Sequence, residues 1–169
     1  RSLGGRRWRF RRRRGERRLV MARHPKWVRA LLSDDDLAAV ARAVVEAEGH
    51  TSAEVRVHLD HSCEGDALQQ AIKVFERLGM HRTAARNGVL VYISVTDRKL
   101  AVIGDKGIHE RVGEAYWQGL VAAVRERLRQ QQPRDGLIHA LAEVGRELGS
   151  HFPRRPDDKN ELSDQVTLS

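Results

Sequence analysis

Three polar positions in the sequence carry the residue types that bind a hard cation. Glu54 opens one apolar stretch, Asn87 stands beside the glycine that opens the next, and Asp105 follows the glycine that closes a third. Ca²⁺ takes about six to eight oxygen ligands from carboxylates, amides and backbone carbonyls. These residues are therefore the first-choice metal ligands, for Ca²⁺ or another divalent cation. The same residues also allow a structural interpretation, in which Asn87 forms a turn, Asp105 caps a helix and Glu54 is a solvated strand residue.

A second polar group lies in the loop formed by residues 60–66. Asp60, Glu64 and Asp66 stand there together with a histidine and the single cysteine of the chain. Their spacing matches neither a zinc signature nor the EF-hand loop, which needs acidic residues at alternate positions and a central glycine. They are the second-choice metal ligands, and Asp66 also fits as the cap of the helix that follows.

Catalytic chemistry depends on fewer residues. A phosphatase needs a nucleophile or a metal-bound water, with cations around the phosphoryl oxygens. Asp97 and Arg98 could fill these roles, although their segment is equally typical of a hairpin turn. The sequence contains no Walker loop, Gly-x-Ser-x-Gly elbow or Gly-x-Gly-x-x-Gly fingerprint. A metal-assisted acid phosphatase is therefore an alternative to a binding function.

The basic character of the chain is confined to its first twenty residues. They hold ten arginines and one acidic residue, a charge of +9, so the body accounts for the remaining −1 of the total +8. Arg11, Arg12, Arg13 and Arg14 could bind nucleic acid or an anionic surface. In another interpretation Met21 is the native start and the arm is upstream or added sequence. Nucleic-acid binding is thus expected from the arm alone and not from the folded domain.

The elements that position these residues follow from hydrophobic periodicity. Ser33 and the three aspartates after it are typical of a helix start. The alternation over residues 55–59 predicts a half-buried strand, and the apolar run 89–95 predicts a central strand covered on both faces. Residues 100–103 form the return strand of a hairpin. Two more amphipathic helices follow, the last of them started by Pro133.

This order of elements predicts an α/β domain over residues 33–152, between a basic arm (1–32) and a polar, acidic, loosely held tail (153–169). A right-handed parallel strand–helix–strand unit and an antiparallel return strand would make a small mixed sheet. Strand direction then brings Glu54, Asn87 and Asp105 to one end of the sheet. It places Asp97 and the loop 60–66 at the opposite end.

Three segments in this order resemble the TPM domain, named for a thylakoid lumen protein, a photosystem II accessory protein and a nematode receptor modulator. They are residues 51–57, 74–90 and 97–108, within a resemblance covering about 35–152. The resemblance implies a three-layer α/β/α sandwich, calcium or other divalent-ion binding in some members, and acid phosphatase activity in a plant member. The sequence lacks the signal peptide, anchor and Gly-rich tail of the commonest pattern, and it looks like a small soluble bacterial member.

The remaining features bear on compartment and partners. The single cysteine, Cys63, fits a reducing cytoplasm, and no apolar run approaches the roughly 20 residues of a membrane helix. We therefore expect a cytoplasmic protein without a membrane span. Its expected role is divalent-cation binding in an interaction or stress-maintenance function, with a protein partner that the sequence does not identify.

Overall fold

The computed structural model describes residues 23–169, which form six α-helices, four strands and one short 3₁₀ turn. In chain order they are α1 Lys26–Arg29, α2 Asp34–Gly49, β1 Glu54–Asp60, α3 Ala67–Arg77, the 3₁₀ turn Met80–Arg82, β2 Gly88–Ser94, β3 Lys99–Gly104, α4 Lys106–Val112, α5 Glu114–Arg129, α6 Pro133–His151 and β4 Thr167–Leu168. The long elements match the predicted order. The additional elements α1, α4 and β4 have 4, 7 and 2 residues, too few for a hydrophobic period to show.

The sheet has the strand order β3-β2-β1-β4. β1 pairs parallel with β2, and β2 pairs antiparallel with β3, so the predicted strand–helix–strand unit and its return strand are confirmed. β4 pairs parallel with the outer edge of β1 through His58 and Leu59, a pairing that the sequence did not indicate.

The helices cover both faces of the sheet and make three layers. One face carries the larger core, to which α2, α5 and α6 contribute. The other face carries a smaller cluster, in which α3 packs on Leu90 and Tyr92 of β2. β2 is buried over its whole length, which confirms the predicted central strand. None of the helices formed by residues 23–169 has the length and apolar character that crossing a bilayer requires.

The start of the domain lies earlier than predicted. Ser33 caps α2 as expected, because its hydroxyl accepts the N–H of Asp36 while the Asp36 carboxylate accepts the N–H of Ser33. Val28 and Leu32, however, are completely buried in the larger core. The short helix α1 therefore belongs to the folded unit, and the boundary at residue 33 is wrong by at least five residues. Val28, Leu32 and the partly buried Trp27 and Leu31 pack this segment on the core, a run too short to separate it from the basic arm by pattern.

Residues 153–169 also differ from the loose tail that the sequence predicted. Residues 160–169, which we call the covering segment, run along β1 and include β4. Backbone groups of this segment bond to charged side chains of β1, for example the carbonyl of Ser163, which accepts from Arg56 at 3.0 Å. Hydropathy did not indicate this docking, because polar side chains and backbone hydrogen bonds provide much of it and Leu162, Val166 and Leu168 are the apolar side chains of this segment that pack on the cores.

Candidate functional site

β1 presents a buried row of charged side chains that the covering segment closes. The sequence predicted a half-buried strand, yet all seven residues are buried. Alternate residues point to opposite faces of a sheet, so the apolar set enters the larger core and the polar set lies on the α3 face. The polar set consists of Glu54, Arg56, His58 and Asp60, each less than 10% exposed.

Glu54 fixes the covering segment. Its Oε1 accepts the N–H of Glu161 at 2.8 Å, and its Oε2 accepts the N–H of Leu162 at 3.2 Å. Burial raises the pKa of Glu54, and the two backbone bonds only partly offset this. The interpretation of Glu54 as a solvated residue is wrong, and both of its oxygens are already engaged.

Asn87 is buried in the turn before β2, and one polar atom of its side chain has no hydrogen-bond partner within residues 23–169. Its Nδ2 donates to the carbonyl of Ser52 at 3.0 Å, and its backbone N–H donates to the hydroxyl of Thr83 at 3.1 Å. The carbonyl of Ser52 needs a donor, which fixes the orientation of the amide. The opposite atom, Oδ1, is buried and has no hydrogen-bond partner within residues 23–169. An unsatisfied buried acceptor costs about 1–3 kcal/mol, so this oxygen is a natural ligand for a cation or a water.

Asp105 follows β3, begins α4 as its cap, and forms an ion pair. Its Oδ1 accepts the N–H of Lys106 at 2.8 Å and one Nη of Arg86 at 2.9 Å, while its Oδ2 accepts the Nε of Arg86 at 2.7 Å. Burial raises the pKa of Asp105, but the hydrogen bonds from Arg86 and Lys106 outweigh it and leave the pKa below its usual value. The Arg86 side chain is half exposed and stands where a bound cation would neutralise the carboxylate.

The three first-choice ligands occupy the same end of the sheet but do not converge on one point. Glu54 lies opposite Gly88, and the N–H of Asp105 bonds to the carbonyl of Gly88 on the other side. Glu54 and Asp105 are therefore separated by two strand spacings, about 10 Å. Within the part of the chain that the structure describes, no three His, Cys, Asp or Glu side chains are grouped closely enough to hold a metal ion. Asn87, which precedes Gly88, and Asp105, whose N–H bonds to Gly88, remain as the smaller possible ligand pair.

Two residues near this pair were not found from the sequence. Arg86 has a left-handed backbone (φ 51°) that turns its guanidinium to Asp105. His81 lies in the 3₁₀ turn, its Nδ1 is buried without a partner among residues 23–169, and its proximity helps to lower the pKa of Asp105. The local sequence 81–86 gives no periodic signal, so neither position was predicted.

The second-choice metal ligands do not form a site of their own in the structure. Asp60 accepts from Tyr92 Oη at 2.7 Å, from the side-chain amide of Gln70 at 3.3 Å, and from His58 and Ser169. Burial raises the pKa of Asp60, but these four donors outweigh it and lower the pKa. The other two candidates, Glu64 and Asp66, are exposed, and Asp66 caps α3 as the sequence predicted.

The turn residues Asp97 and Arg98 lie at the end of the sheet that carries the loop 60–66, opposite Asn87. Asp97 links the hairpin to that loop. Its Oδ2 accepts the N–H of Cys63 at 2.6 Å and the hydroxyl of Ser94 at 3.2 Å. The Cys63 hydrogen bond is the main reason why the pKa of Asp97 is lowered. Arg98 is exposed and has a left-handed backbone with φ 53°. The weak surface candidates Arg11, Arg12, Arg13 and Arg14 lie outside the described residues.

Glu48, at the end of α2, is a buried acid that the sequence analysis also missed. Its Oε1 accepts the N–H of Val55 at 2.7 Å on the outer side of β1. Burial and the neighbouring carboxyl of Asp164 raise the pKa of Glu48 to about 8. The sequence around Glu48 is typical of a solvated helix face and does not indicate burial. The groups that contact its carboxyl, Val55 and Asp164, are 7 and more than 100 residues away in the chain.

Comparisons with known proteins identify the family and agree with this fold. The sequence model of the TPM domain family matches residues 28–147. The BA42 protein of the psychrophilic bacterium Bizionia argentinensis, solved by NMR, shares 33% identity with a TM-score of 0.76, over 82% of this chain and 95% of that one. No curated protein sequence matches.

Two further solved structures share the fold at 14% identity. The N-terminal domain of a P. gingivalis protein has a TM-score of 0.59, over 74% of this chain and 82% of that one. The N-terminal domain of cg2496 from Corynebacterium glutamicum has a TM-score of 0.57, over 75% and 80%. The family match spans the whole sheet apart from β4 and nearly all of the helices, and BA42 is similar along almost its entire length. The chain belongs to the TPM domain family.

Proposed function

We propose that this TPM domain binds a divalent cation, Ca²⁺ in the first place, beside Asn87 and Asp105. The observation that carries the proposal is the buried Oδ1 of Asn87, which lacks a partner among residues 23–169. Backbone bonds from Asp105 to Gly88 and from Gly107 to Arg86 hold the Asp105 carboxylate beside this turn. An amide oxygen and a carboxylate are ligands of the kind that Ca²⁺ takes.

The close approach of the two loops depends on Gly107. A Cβ at this position would lie 2.6 Å from the carbonyl oxygen of Ala85 and 2.8 Å from that of Arg86. Only glycine lets these two carbonyls come so close to the start of α4, which keeps backbone oxygens near the Asp105 carboxylate. Backbone carbonyls and water would supply the ligands that Asn87 and Asp105 do not.

Arg86 would compete with the cation. Its guanidinium occupies both carboxylate oxygens of Asp105, and it must move aside before a cation can bind there. The side chain is half exposed and can turn into solvent. With two side-chain ligands and an internal competitor, the site would have a dissociation constant on the order of 0.1–1 mM, the weak end of the known calcium sites.

Thermal unfolding with chelator and with calcium tests the proposal. A ligand that binds only the folded state at ten times its dissociation constant adds about 1.4 kcal/mol to the free energy of unfolding. We expect 10 mM CaCl₂ to raise the melting temperature of the full chain, and Asp105→Asn and Asn87→Ala to remove the increase. Arg86→Ala should enlarge it, because the competing cation is gone. Arg82→Ala, an exposed arginine in the adjacent turn, is the matched control and should behave as the parent.

The proposal fails if the parent chain shows no calcium-dependent increase, or if Asp105→Asn keeps the full effect. The variant Asp105→Asn keeps the cap of α4, because asparagine at position 105 retains an acceptor for the N–H of Lys106. A cytoplasmic interaction or stress-maintenance role, with a protein partner, is the cellular setting that we propose for this cation binding.

A metal-assisted acid phosphatase is the second candidate. Its support is the designation of the matched family, TPM phosphatase, together with the carboxylate and guanidinium of Asp97 and Arg98 in an accessible turn. Hydrolysis of p-nitrophenyl phosphate with Ca²⁺, Mg²⁺ or Mn²⁺ separates the two candidates. Turnover that disappears in Asp97→Asn or Asp105→Asn would favour the phosphatase. Turnover that survives both substitutions would come from a contaminant, and no turnover would favour a binding function.

A further inference from the structure

A cavity of about 910 Å³ opens where β2 ends, on the face that carries the larger core. It lies at the opposite end of the sheet from Asn87, between α1, the hairpin turn and the junction of α5 with α6. In open α/β sheets, ligands bind outside the carboxyl ends of the parallel strands, where this cavity lies. Its volume is within the range of about 300–1,000 Å³ that small-molecule sites occupy.

The floor and one wall of the cavity are apolar. Leu31, Ile93, Leu100 and Leu128 line it, and they are continuous with the larger core. The wall is Trp27, whose ring stacks on the His61 ring with centroids 5.2 Å apart and planes 19° from parallel. The indole is therefore held in place beside the cavity, where a flat apolar body could pack against it.

The charged side chains that line the cavity are all cationic. Arg98, Arg125 and Arg129 contribute guanidinium groups, and no carboxylate lines the cavity. Within residues 23–169, Arg98 and Arg125 make neither a salt bridge nor a side-chain hydrogen bond, and Arg129 has only an exposed pair with Glu126 at 3.8 Å. The nearest acid in sequence, Asp97, is engaged by Cys63 and Ser94.

Three guanidinium groups around one cavity repel each other unless an anion lies between them. Guanidinium is also the side chain best suited to bind the paired oxygens of a carboxylate, phosphate or sulfonate. The three arginines of the lining are exposed, whereas Ile93 and Leu100 are buried. An anion with an apolar body therefore fits this lining better than a bare inorganic ion.

We propose that this cavity binds a small, flat organic oxyanion. Arg98, Arg125 and Arg129 bind the anionic group, and Trp27 with the leucine and isoleucine floor holds the ring system. The Ser94 hydroxyl already donates to Asp97, and the lining contains no histidine, cysteine or carboxylate that could act as a base or nucleophile. The inference therefore concerns binding without hydrolysis, and it does not depend on the proposed cation site.

Calorimetry and ¹H–¹⁵N NMR on the full chain test the inference with matched, non-hydrolysable probes. The probes are 2-naphthoate and naphthalene-2-sulfonate as anions, 2-naphthamide as the neutral analogue, and inorganic phosphate as the anion without a ring. We expect the two naphthyl anions to bind and to shift the Trp27 indole signal and the amide signals of residues 95–98. The neutral analogue and phosphate should each bind at least tenfold more weakly.

Substitution of the arginines locates the binding. The double variant Arg125→Gln/Arg129→Gln should weaken the binding of 2-naphthoate at least tenfold, and the Trp27 shift should disappear. Arg146→Gln removes one exposed arginine of α6 outside the cavity and should leave the affinity unchanged. The arginine-rich arm can attract anions as well, but its binding would persist in the double variant and leave the Trp27 indole signal in place.

Three outcomes would overturn the inference. The first is equal affinity in the double variant and in Arg146→Gln. The second is equal affinity for 2-naphthamide and 2-naphthoate, which would make the cavity an apolar crevice without anion selectivity. The third is binding that leaves the Trp27 signal unmoved. Melting temperatures of the variants show whether they are folded, and the two arginines of the double variant are exposed on α5.

Discussion

The two faces of β1 are equally buried, but different forces stabilise them. On one face, Val55, Val57 and Leu59 pack in the larger core and gain free energy by leaving water. On the other face, charged side chains lie under the covering segment, where each atom must find a partner to offset its lost hydration. Burial on the first face therefore reports packing, and burial on the second reports a network of specific partners.

The polar face also shows how such a network is completed. The Asp60 carboxylate accepts from four side chains, and one of them, Ser169, belongs to the covering segment. Arg56 bonds to the backbone of that segment, although its Nε has no partner among residues 23–169. Burial lowers the pKa of Arg56 and of His58, because both lose hydration when charged. Polar burial on β1 thus depends on specific partners in the covering segment, in β2 and in α3, whereas apolar burial is shared by several helices.

The largest expected effect is on the apolar face. Leu59→Ala should lower the free energy of unfolding by about 3 kcal/mol, because the side chain is completely buried and leaves a cavity. Urea denaturation followed by circular dichroism measures it. Leu68→Ala, where the side chain is about half exposed on α3, is the control and should change stability by less than about 0.5 kcal/mol. Equal losses in the two variants would contradict the assignment of Leu59 to the core.

A smaller effect is expected on the polar face. Tyr92→Phe keeps the ring and removes only the hydroxyl that donates to Asp60 at 2.7 Å, so the loss should be about 2 kcal/mol. Tyr116→Phe is the matched control, since the Tyr116 hydroxyl is buried without a partner in the described chain and burial raises its pKa to about 12. We expect the control to be neutral or stabilising. If both tyrosines respond alike, the network around Asp60 has no special energetic role.

The pH dependence should reveal Glu48, which lies at the border of the two faces. Its pKa is raised from 4.5 to about 8 in the folded state, so the folded protein holds a proton that the unfolded chain releases. The contribution of this group to the free energy of unfolding is fully present below pH 4.5 and is lost as the pH rises through 8. Between pH 7 and 9 the loss should be about 1.4 kcal/mol, the equivalent of one pKa unit.

Glu48→Gln should remove this dependence, because the amide cannot release a proton. Denaturation at pH 7, 8 and 9 provides the measurement. The window excludes His58, whose lowered pKa acts in the opposite direction: its stability contribution is lost only as pH falls below about 6.5. A parent chain whose stability is flat from pH 7 to 9 would rule out a proton on Glu48.

The smallest effect is expected for a charged pair in solvent. Arg146 bonds to Glu143 on the exposed surface of α6, one turn apart. Arg146→Ala should change the free energy of unfolding by no more than about 0.5 kcal/mol, because hydration and salt screening offset the attraction. A loss comparable with that of Tyr92→Phe would mean that burial is not what makes the polar groups of β1 different.

The sequence was sufficient to predict those elements that have both a hydrophobic period and a residue that marks their boundary. Ser33 and Pro133 mark helix starts that the structure confirms. Strand direction also correctly brought Asn87 and Asp105 to one end of the sheet. The covering segment escaped prediction, because polar groups more than 100 residues apart hold it, and local patterns contain no information about such partners.

The chemistry at the Asn87 end was only partly predictable for the same reason. Residue types identified the oxygens, but not the Arg86 guanidinium that occupies Asp105 or the backbone donors that occupy Glu54. Both competitors lie in stretches without periodicity. The residue types of the site could therefore be predicted from the sequence. The groups that already bond to these side chains could be identified only from the fold.

The Glu48 carboxyl has a consequence for how this protein behaves in concentrated solution. The outer side of β1 would otherwise offer unpaired backbone groups, and open strand edges recruit strands from other molecules and lead to aggregates. Glu48 occupies the N–H of Val55, and β4 pairs with His58 and Leu59 further along the same edge. A side chain and a two-residue strand thus close this edge to intermolecular β-sheet growth. Glu48→Ala would reopen it at Val55, and light scattering during storage would then rise faster than in the parent.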